Sequence, residues 1–238
     1  MLALSPPRPM SISLRVLAAL LAYPDARMRG HLAEMRSLLV EDDAVSPLRR
    51  VELDALMDTL QRADPLETEA AYVELFDRDR NTSLHLFEHV HGDSRDRGPA
   101  MIDLCKTYEA AGLLLAPTEL PDYLPVVLEF ASTQPPSEAH AFLAEIAHIL
   151  GAIFGALCKR GSAYASVLGA LIELAGEKPQ LVEPAADQAL DDCWAEPPVF
   201  DGCSVKGQAN PGEAHPIQLV RFAKTGSPES NPPSGVAR

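Results

Sequence analysis

Leucines, alanines and a few methionines recur every three or four positions from about residue 14 to residue 174, and the runs break at residues that begin or end helices. The first run opens at Ser11 or Ser13 and continues to about Ala22, where Tyr23-Pro24-Asp25 stops it. A second spans Ala26 to Val40 on Met28, Leu32, Met35 and Leu39. Ser46-Pro47 sets a capping hydroxyl before a first-turn proline and opens a third, whose apolar stripe reads Leu48, Val51, Ala55, Leu56 and Leu60. Asp64-Pro65-Leu66-Glu67 repeats the device, with Glu67 placed to complete a capping box. That fourth helix carries Ala70, Tyr72, Val73 and Phe76.

A short fifth helix is bracketed by Asn81-Thr82-Ser83 and Gly92. The sixth starts at Ser94 or Asp96 and ends at Gly112, and the seventh starts between Pro121 and Pro125 and ends near Ser132. Ser137 opens an eighth reaching Lys159, and Ser162 a ninth ending at Gly176. No stretch alternates with the period of two that a half-buried strand requires. The pattern therefore predicts an all-α fold, a helical bundle of about eight or nine helices in a single domain over residues 1–176.

Composition changes this picture after Gly176. Nine of the chain's 21 prolines fall between Lys178 and Arg238, too many for further packed helices. Residues 177–205 are expected to form a partly anchored extension, held by Trp194, Val199 and Phe200 within Leu190 to Phe200. Residues 206–238 are expected to form a mobile tail. Elsewhere 47% hydrophobic but only 5% aromatic residues imply a core of leucine and alanine, the composition of packed helices. The formal charge of −14 opposes a nucleic-acid partner and favours a basic peptide or surface.

Cys105, Cys158, Cys193 and Cys203 are widely spaced without a C-x-x-C pair, which suits reduced thiols in a reducing compartment. Leu14 to Ala22 is about half the ~20 apolar residues a bilayer span needs, and no small-residue cleavage site follows it. The expectation is a core helix of a cytoplasmic protein.

Candidate chemistry gathers at His85 to Gly98, H-L-F-E-H-V-H-G-D-S-R-D-R-G. Its first five letters match H-x-x-E-H, a zinc-peptidase ligand motif. On one continuous helix His85, Glu88 and His89 would share a face opposite Leu86, Phe87 and Val90. A catalytic zinc needs a third protein ligand, and no later helix offers a recognisable flank for one. The alternative is a polar helix face whose histidines bond carboxylates and carbonyls. A third reading makes the segment part of a groove for an amphipathic peptide, with apolar anchors below and the flanking charges Asp77-Arg78-Asp79-Arg80 and Asp93-Ser94-Arg95-Asp96-Arg97 along its rim. No phosphate-binding glycine loop or G-x-S-x-G elbow occurs.

Four blocks carry a resemblance. Tyr72-Val73-Glu74-Leu75-Phe76-Asp77-Arg78 and Thr82 to Gly98 closely resemble the NarJ family, the assembly chaperones of molybdenum-dependent respiratory nitrate reductases. Glu119-Leu120-Pro121-Asp122-Tyr123-Leu124-Pro125 and Leu20-Leu21-Ala22-Tyr23-Pro24-Asp25 agree with it. The similarity covers about Leu14 to Ala175. Family members usually have histidine where this chain has Tyr123, so no role for an imidazole is carried over there, and His85 is optional in the family pattern.

The resemblance implies a TorD-like helical chaperone, related to TorD and DmsD, with no catalytic residues, no cofactor and no metal of its own. It would bind the N-terminal segment of the nitrate reductase catalytic (alpha) subunit and keep that subunit open for molybdenum cofactor and iron–sulfur insertion before membrane docking. Contact with the membrane would be indirect, through the partner complex. Within that reading Tyr72, Leu75, Phe76 and Phe87 form the apolar floor of the partner groove, and Leu124 and Pro125, beside Tyr123, close one side. Asp77, Glu88, Asp122 and His89 meet basic residues of the peptide. A zinc-dependent hydrolase built on His85, Glu88 and His89, and a generic helical adaptor, remain the alternative classes.

Overall fold

In a computed structural model, residues 9–92, 94–116 and 119–180 are described, and among them every regular element is helical apart from one isolated β-bridge. The expected extension beyond Gln180, its anchor Leu190–Phe200 and the tail 206–238 lie outside the described residues. Ten α-helices follow in order: α1 Ser11–Leu21, α2 Ala26–Gly30, α3 Leu32–Asp42, α4 Pro47–Arg62, α5 Pro65–Phe76, α6 Leu86–Val90, α7 Arg97–Ala110, α8 Leu124–Thr133, α9 Pro136–Lys159 and α10 Ala165–Leu174.

Most boundaries follow from local chemistry. Ser46 Oγ accepts the Arg49 N–H at 3.4 Å before α4, and Asp64 accepts the Leu66 and Glu67 N–H groups at 2.9 and 3.2 Å before α5. Each cap is followed by proline, whose missing N–H costs nothing in a first turn. At the end of α7 Gly112 takes a φ of +80°, and Leu113 N–H returns to the Tyr108 carbonyl at 2.9 Å.

Three expectations change. The helix predicted over Ala26–Val40 is two helices, broken at His31 directly after Gly30. Gly30 is a poor helix former, and His31 N–H turns to the Met28 carbonyl at 3.0 Å. Met28, Leu32, Met35 and Leu39 are nevertheless all buried, because the break preserves their phase. On α4 the predicted stripe is largely wrong: Leu48 and Val51 are 63% and 67% exposed and Ala55 is exposed as well. The buried face is Leu53, Leu56, Met57 and Leu60. Both stripes have helical spacing, and packing of α4 against α3 and α10 selects the second. The short histidine helix is smaller than expected. A 3₁₀ turn, Arg80–Thr82, leads into extended residues, and only Leu86–Val90 are α-helical.

The core centres on α1, α8, α9 and α10, where α1 packs on α8 and α9 on α10. Leu14, Leu17, Leu20, Leu124, Leu128, Leu168 and Leu171 are all at most 0% exposed, and each such burial is worth roughly 1.5–3 kcal/mol. Gly169 of α10 lies beside the guanidinium of Arg49, which would have to shift to admit a side chain there. A Cβ there would stand 2.9 Å from Arg49 Nη1, and Arg49 is held in place by Glu173 at 2.8 Å. By length and composition α9 could cross a membrane, yet its Leu143, Leu150, Ile153 and Leu157 are fully buried in this core.

Candidate functional site

The two most distinctive sequence blocks meet directly. His85 is extended just before α6, with Leu84 and Leu86 on either side of it both buried, and it forms an antiparallel bridge with Tyr123. Leu124 N–H donates to the Leu84 carbonyl at 2.8 Å, and Leu86 N–H to the Asp122 carbonyl at 3.0 Å. This pairing, 35 or more residues apart in sequence, holds the start of α6 against the start of α8.

Asp122 is the pivot of the junction. Its side chain is fully buried, and Oδ2 accepts the Phe87 N–H at 3.1 Å. It thereby satisfies a free donor in the first turn of α6, where His85 supplies no side-chain cap. Arg97 Nη2 stands 3.7 Å from the same oxygen and 3.4 Å from Glu88 Oε1, while His85 Nδ1 faces Asp122 Oδ1 at 3.5 Å. The backbone donor and Arg97 offset the burial of Oδ2, whereas Asp122 Oδ1 and His85 Nδ1 are both buried without a hydrogen-bond partner.

Beside this junction lies an aromatic cluster. The Tyr72 ring packs on Phe76 at 4.8 Å, edge-on to Tyr23 at 5.6 Å and Tyr164 at 6.1 Å, and Phe76 meets Tyr164 at 5.1 Å. Tyr72 Oη donates to the Leu21 carbonyl at 2.7 Å and lies 3.1 Å from Tyr123 Oη. Tyr123 in turn packs against the His85 ring at 5.3 Å. One hydroxyl therefore ties together three of the blocks that carry the resemblance, and the His85–Tyr123 bridge adds the fourth.

The predicted groove residues divide by depth. Tyr72, Phe76, Leu124, Pro125 and Asp122 are buried, so they build the site from beneath. Leu75, Phe87, Glu88, His89 and Tyr123 are half-buried, and Asp77 is exposed. Asp122 therefore does not stand on an acidic rim, because its carboxylate is turned inward to the α6 backbone. The shared histidine face is also absent. His85 precedes α6 in an extended conformation, and His89 Nε2 contacts the Ser83 carbonyl at 2.8 Å. Among the described residues no group of three or more histidine, cysteine, aspartate or glutamate side chains is placed to hold a metal.

Two participants were missing from the predicted set. Tyr23 lies in one of the resembling blocks, so that signal was available. It is 44% exposed, and Tyr23 Oη donates to Glu69 at 3.0 Å. With Leu66, Ala70, Val73 and Arg78 it borders a shallow cavity of about 380 Å3 on the outer face of α5. Tyr164 carries no sequence signal, because only the tertiary fold brings it to Phe76.

Burial pushes the phenols of Tyr72, Tyr108, Tyr123 and Tyr164 above the usual tyrosine range. A folded-state value raised above the unfolded one gives stability that is complete below pH ~10 and lost as pH rises beyond it. In an alkaline titration the tyrosinate absorbance of these groups is expected to appear together with loss of helical circular dichroism. Ionisation of all five tyrosines near pH ~10 with the helices intact would contradict this burial.

Comparison with known proteins places these features in a family. A family model described as nitrate reductase delta subunit matches residues 42–168. The chain is 43% identical over 184 residues to the nitrate reductase molybdenum cofactor assembly chaperone NarJ of Escherichia coli (strain K12), covering 76% of this chain and 78% of that protein. It is 40% identical over 200 residues to NarW of the same organism, also named for nitrate reductase molybdenum cofactor assembly, covering 77% and 80%. A crystal structure from Archaeoglobus fulgidus, described as a redox enzyme maturation protein, superposes with a TM-score of 0.50 at 20% identity over 74% of this chain and all of that one. At that identity the match concerns the fold.

Proposed function

The chain belongs to the nitrate reductase delta subunit family of molybdenum cofactor assembly chaperones, and on that footing we propose that it grips an unfinished nitrate reductase catalytic subunit by its N-terminal segment. The family is one of chaperones, so the protein is not the catalyst. The observation that carries the proposal is the convergence of all four resembling blocks on one junction, with Tyr72 and Tyr123 at its centre.

The contacts we assign to the segment are those at the surface of that junction. Leu75, Phe87 and Tyr123 offer apolar and aromatic area, and Asp77, Glu88 and His89 offer polar partners for basic residues. Tyr72, Phe76, Asp122, Leu124 and Pro125 set their positions from below. Tyr23 and the outer face of α5 extend the same surface. The action takes place in the cytoplasm, and membrane contact is made only by the partner complex.

The physical work is a population shift. A large buried cofactor enters only an incompletely closed apoprotein, and a chaperone that binds the open state more tightly raises its population by no more than its differential affinity. Cofactor insertion stabilises the closed state, and the chaperone leaves without covalent chemistry or nucleotide hydrolysis.

The test is capture of the catalytic subunit by this chain from cells expressing a nitrate reductase operon, with and without the subunit's N-terminal segment. Retention of the intact subunit and at least tenfold weaker retention of the truncated one are expected. Affinity for the segment should fall with rising salt, and Asp77→Asn should flatten that dependence. Equal retention of both forms would refute recognition through the N-terminus.

A further inference from the structure

Among the described residues, three buried side-chain polar atoms lack a hydrogen-bond partner: His85 Nδ1, Asp122 Oδ1 and Tyr164 Oη. All three lie at the Tyr72–Tyr123 junction or in the aromatic cluster beside it. His85 and Asp122 face each other at 3.5 Å, so a small shift lets them satisfy one another. Tyr164 has no such neighbour at hydrogen-bond distance. Its hydroxyl keeps the full desolvation penalty, and native chains leave few groups in that condition.

Local structure fixes the ring where it stands. Gly161 follows α9 with a φ of +62°, Ser162 Oγ accepts the Tyr164 N–H at 3.3 Å, and Tyr164 directly precedes α10. Arg160 pairs with Asp79, next to the 3₁₀ turn, which anchors this corner near the segment leading to α6. The Tyr164 ring is thereby held edge-on to Phe76 at 5.1 Å and to Tyr72 at 6.1 Å, and it is 8% exposed. A phenylalanine would make the same ring contacts, so packing does not account for the hydroxyl.

Two rings of the cluster reach the surface, the exposed Tyr23 and the half-buried Tyr123. Tyr123 is the one whose charge acts on the Tyr164 phenol, and burial together with that neighbour keeps the phenol protonated far above neutral pH. The hydroxyl is therefore a donor. The route to it passes Tyr123, whose own hydroxyl stands 3.1 Å from Tyr72 Oη. A peptide segment brings a backbone carbonyl at every residue, an acceptor that requires no particular side chain.

We infer that the Tyr164 hydroxyl donates a hydrogen bond to a backbone carbonyl of the bound client segment once Tyr123 turns away from Tyr72. The inference rests on the reading that this junction receives the N-terminal segment of the catalytic subunit. It makes Tyr164, which no sequence block marks, a client contact withheld in the free chain.

The experiment is calorimetry of the full chain with a synthetic peptide of that N-terminal segment, paired with urea unfolding. Tyr164→Phe should unfold at a urea midpoint equal to or above the parent's, because it discards an unpartnered hydroxyl. It should bind the peptide about two- to tenfold more weakly, the worth of one neutral hydrogen bond. Peptides with single esters in place of successive amides, each a weaker carbonyl acceptor, locate the bond. One ester should weaken binding to the parent by a similar factor and leave Tyr164→Phe unaffected. A midpoint well below the parent's would mean that the hydroxyl is already partnered in the free chain, and would overturn the proposal. Equal affinity of the two proteins would overturn it while leaving recognition of the N-terminus intact, and so would ester losses that add to Tyr164→Phe at every position. Failure of the folded parent to bind the peptide at all would overturn the underlying reading as well.

Discussion

Asp122→Ala is expected to lower stability by about 2–4 kcal/mol while the helical content of the folded chain stays the same. The mutation strips the Phe87 N–H of its acceptor and leaves Arg97 and His85 facing a void instead of a carboxylate. Removing one partner from a buried charged group costs more than the pair contributes, because the remaining groups keep their desolvation penalty. For a domain of this size the loss corresponds to a fall in Tm of roughly 5–15 °C. Asp122→Asn keeps an oxygen for the Phe87 N–H and should cost only about 1 kcal/mol. Thermal and urea unfolding monitored by circular dichroism decide the matter. If both variants stay within about 0.5 kcal/mol of the parent, the ordinary result for a surface site, Asp122 is a rim residue and the junction described here is incorrect.

Tyr72→Ala should have a comparable or larger effect, about 3–5 kcal/mol. The ring sits at 4% exposure among Tyr23, Phe76 and Tyr164, so its removal opens a cavity that three other rings cannot fill. It also orphans the Leu21 carbonyl in the last turn of α1. Tyr72→Phe separates the two contributions. It retains the ring and loses only the hydroxyl bonds, at a cost of about 1–2 kcal/mol. Urea titrations of the three proteins should rank parent, Phe and Ala in that order. Equal stability of the Phe and Ala variants would mean that the packing of the ring contributes nothing, contrary to the cluster geometry. Because Tyr72 is buried, client capture should weaken in the Ala variant through displacement of Tyr123 and Leu75 and not through a lost direct contact.

Asp122 departs from the predicted acidic rim, and the histidine face does not form, for related reasons. A polar letter in a sequence carries the general expectation of solvent, and Asp122 defeats it because the α6 backbone needs an acceptor at that point. His85, Glu88 and His89 share a face only if residues 85–89 are one helix, and the β-bridge to Tyr123 takes His85 out of it. The α4 stripe is a third case. Leu48, Val51 and Ala55 have the same spacing as Leu53, Leu56 and Leu60, and nothing local distinguishes the stripe that finds neighbours from the stripe that does not.

The amino-acid sequence by itself determined the helical class, most helix boundaries and the blocks that mark the family. Caps, first-turn prolines and terminal glycines act within four residues of where they stand, so their effects are written where they occur. The tertiary structure alone decided which face of α4 is buried, that Asp122 points inward, and that Tyr164 joins Phe76 under the site. Those outcomes depend on contacts such as Tyr72 to Tyr123, 51 residues apart, whose energies arise only when the helices have packed.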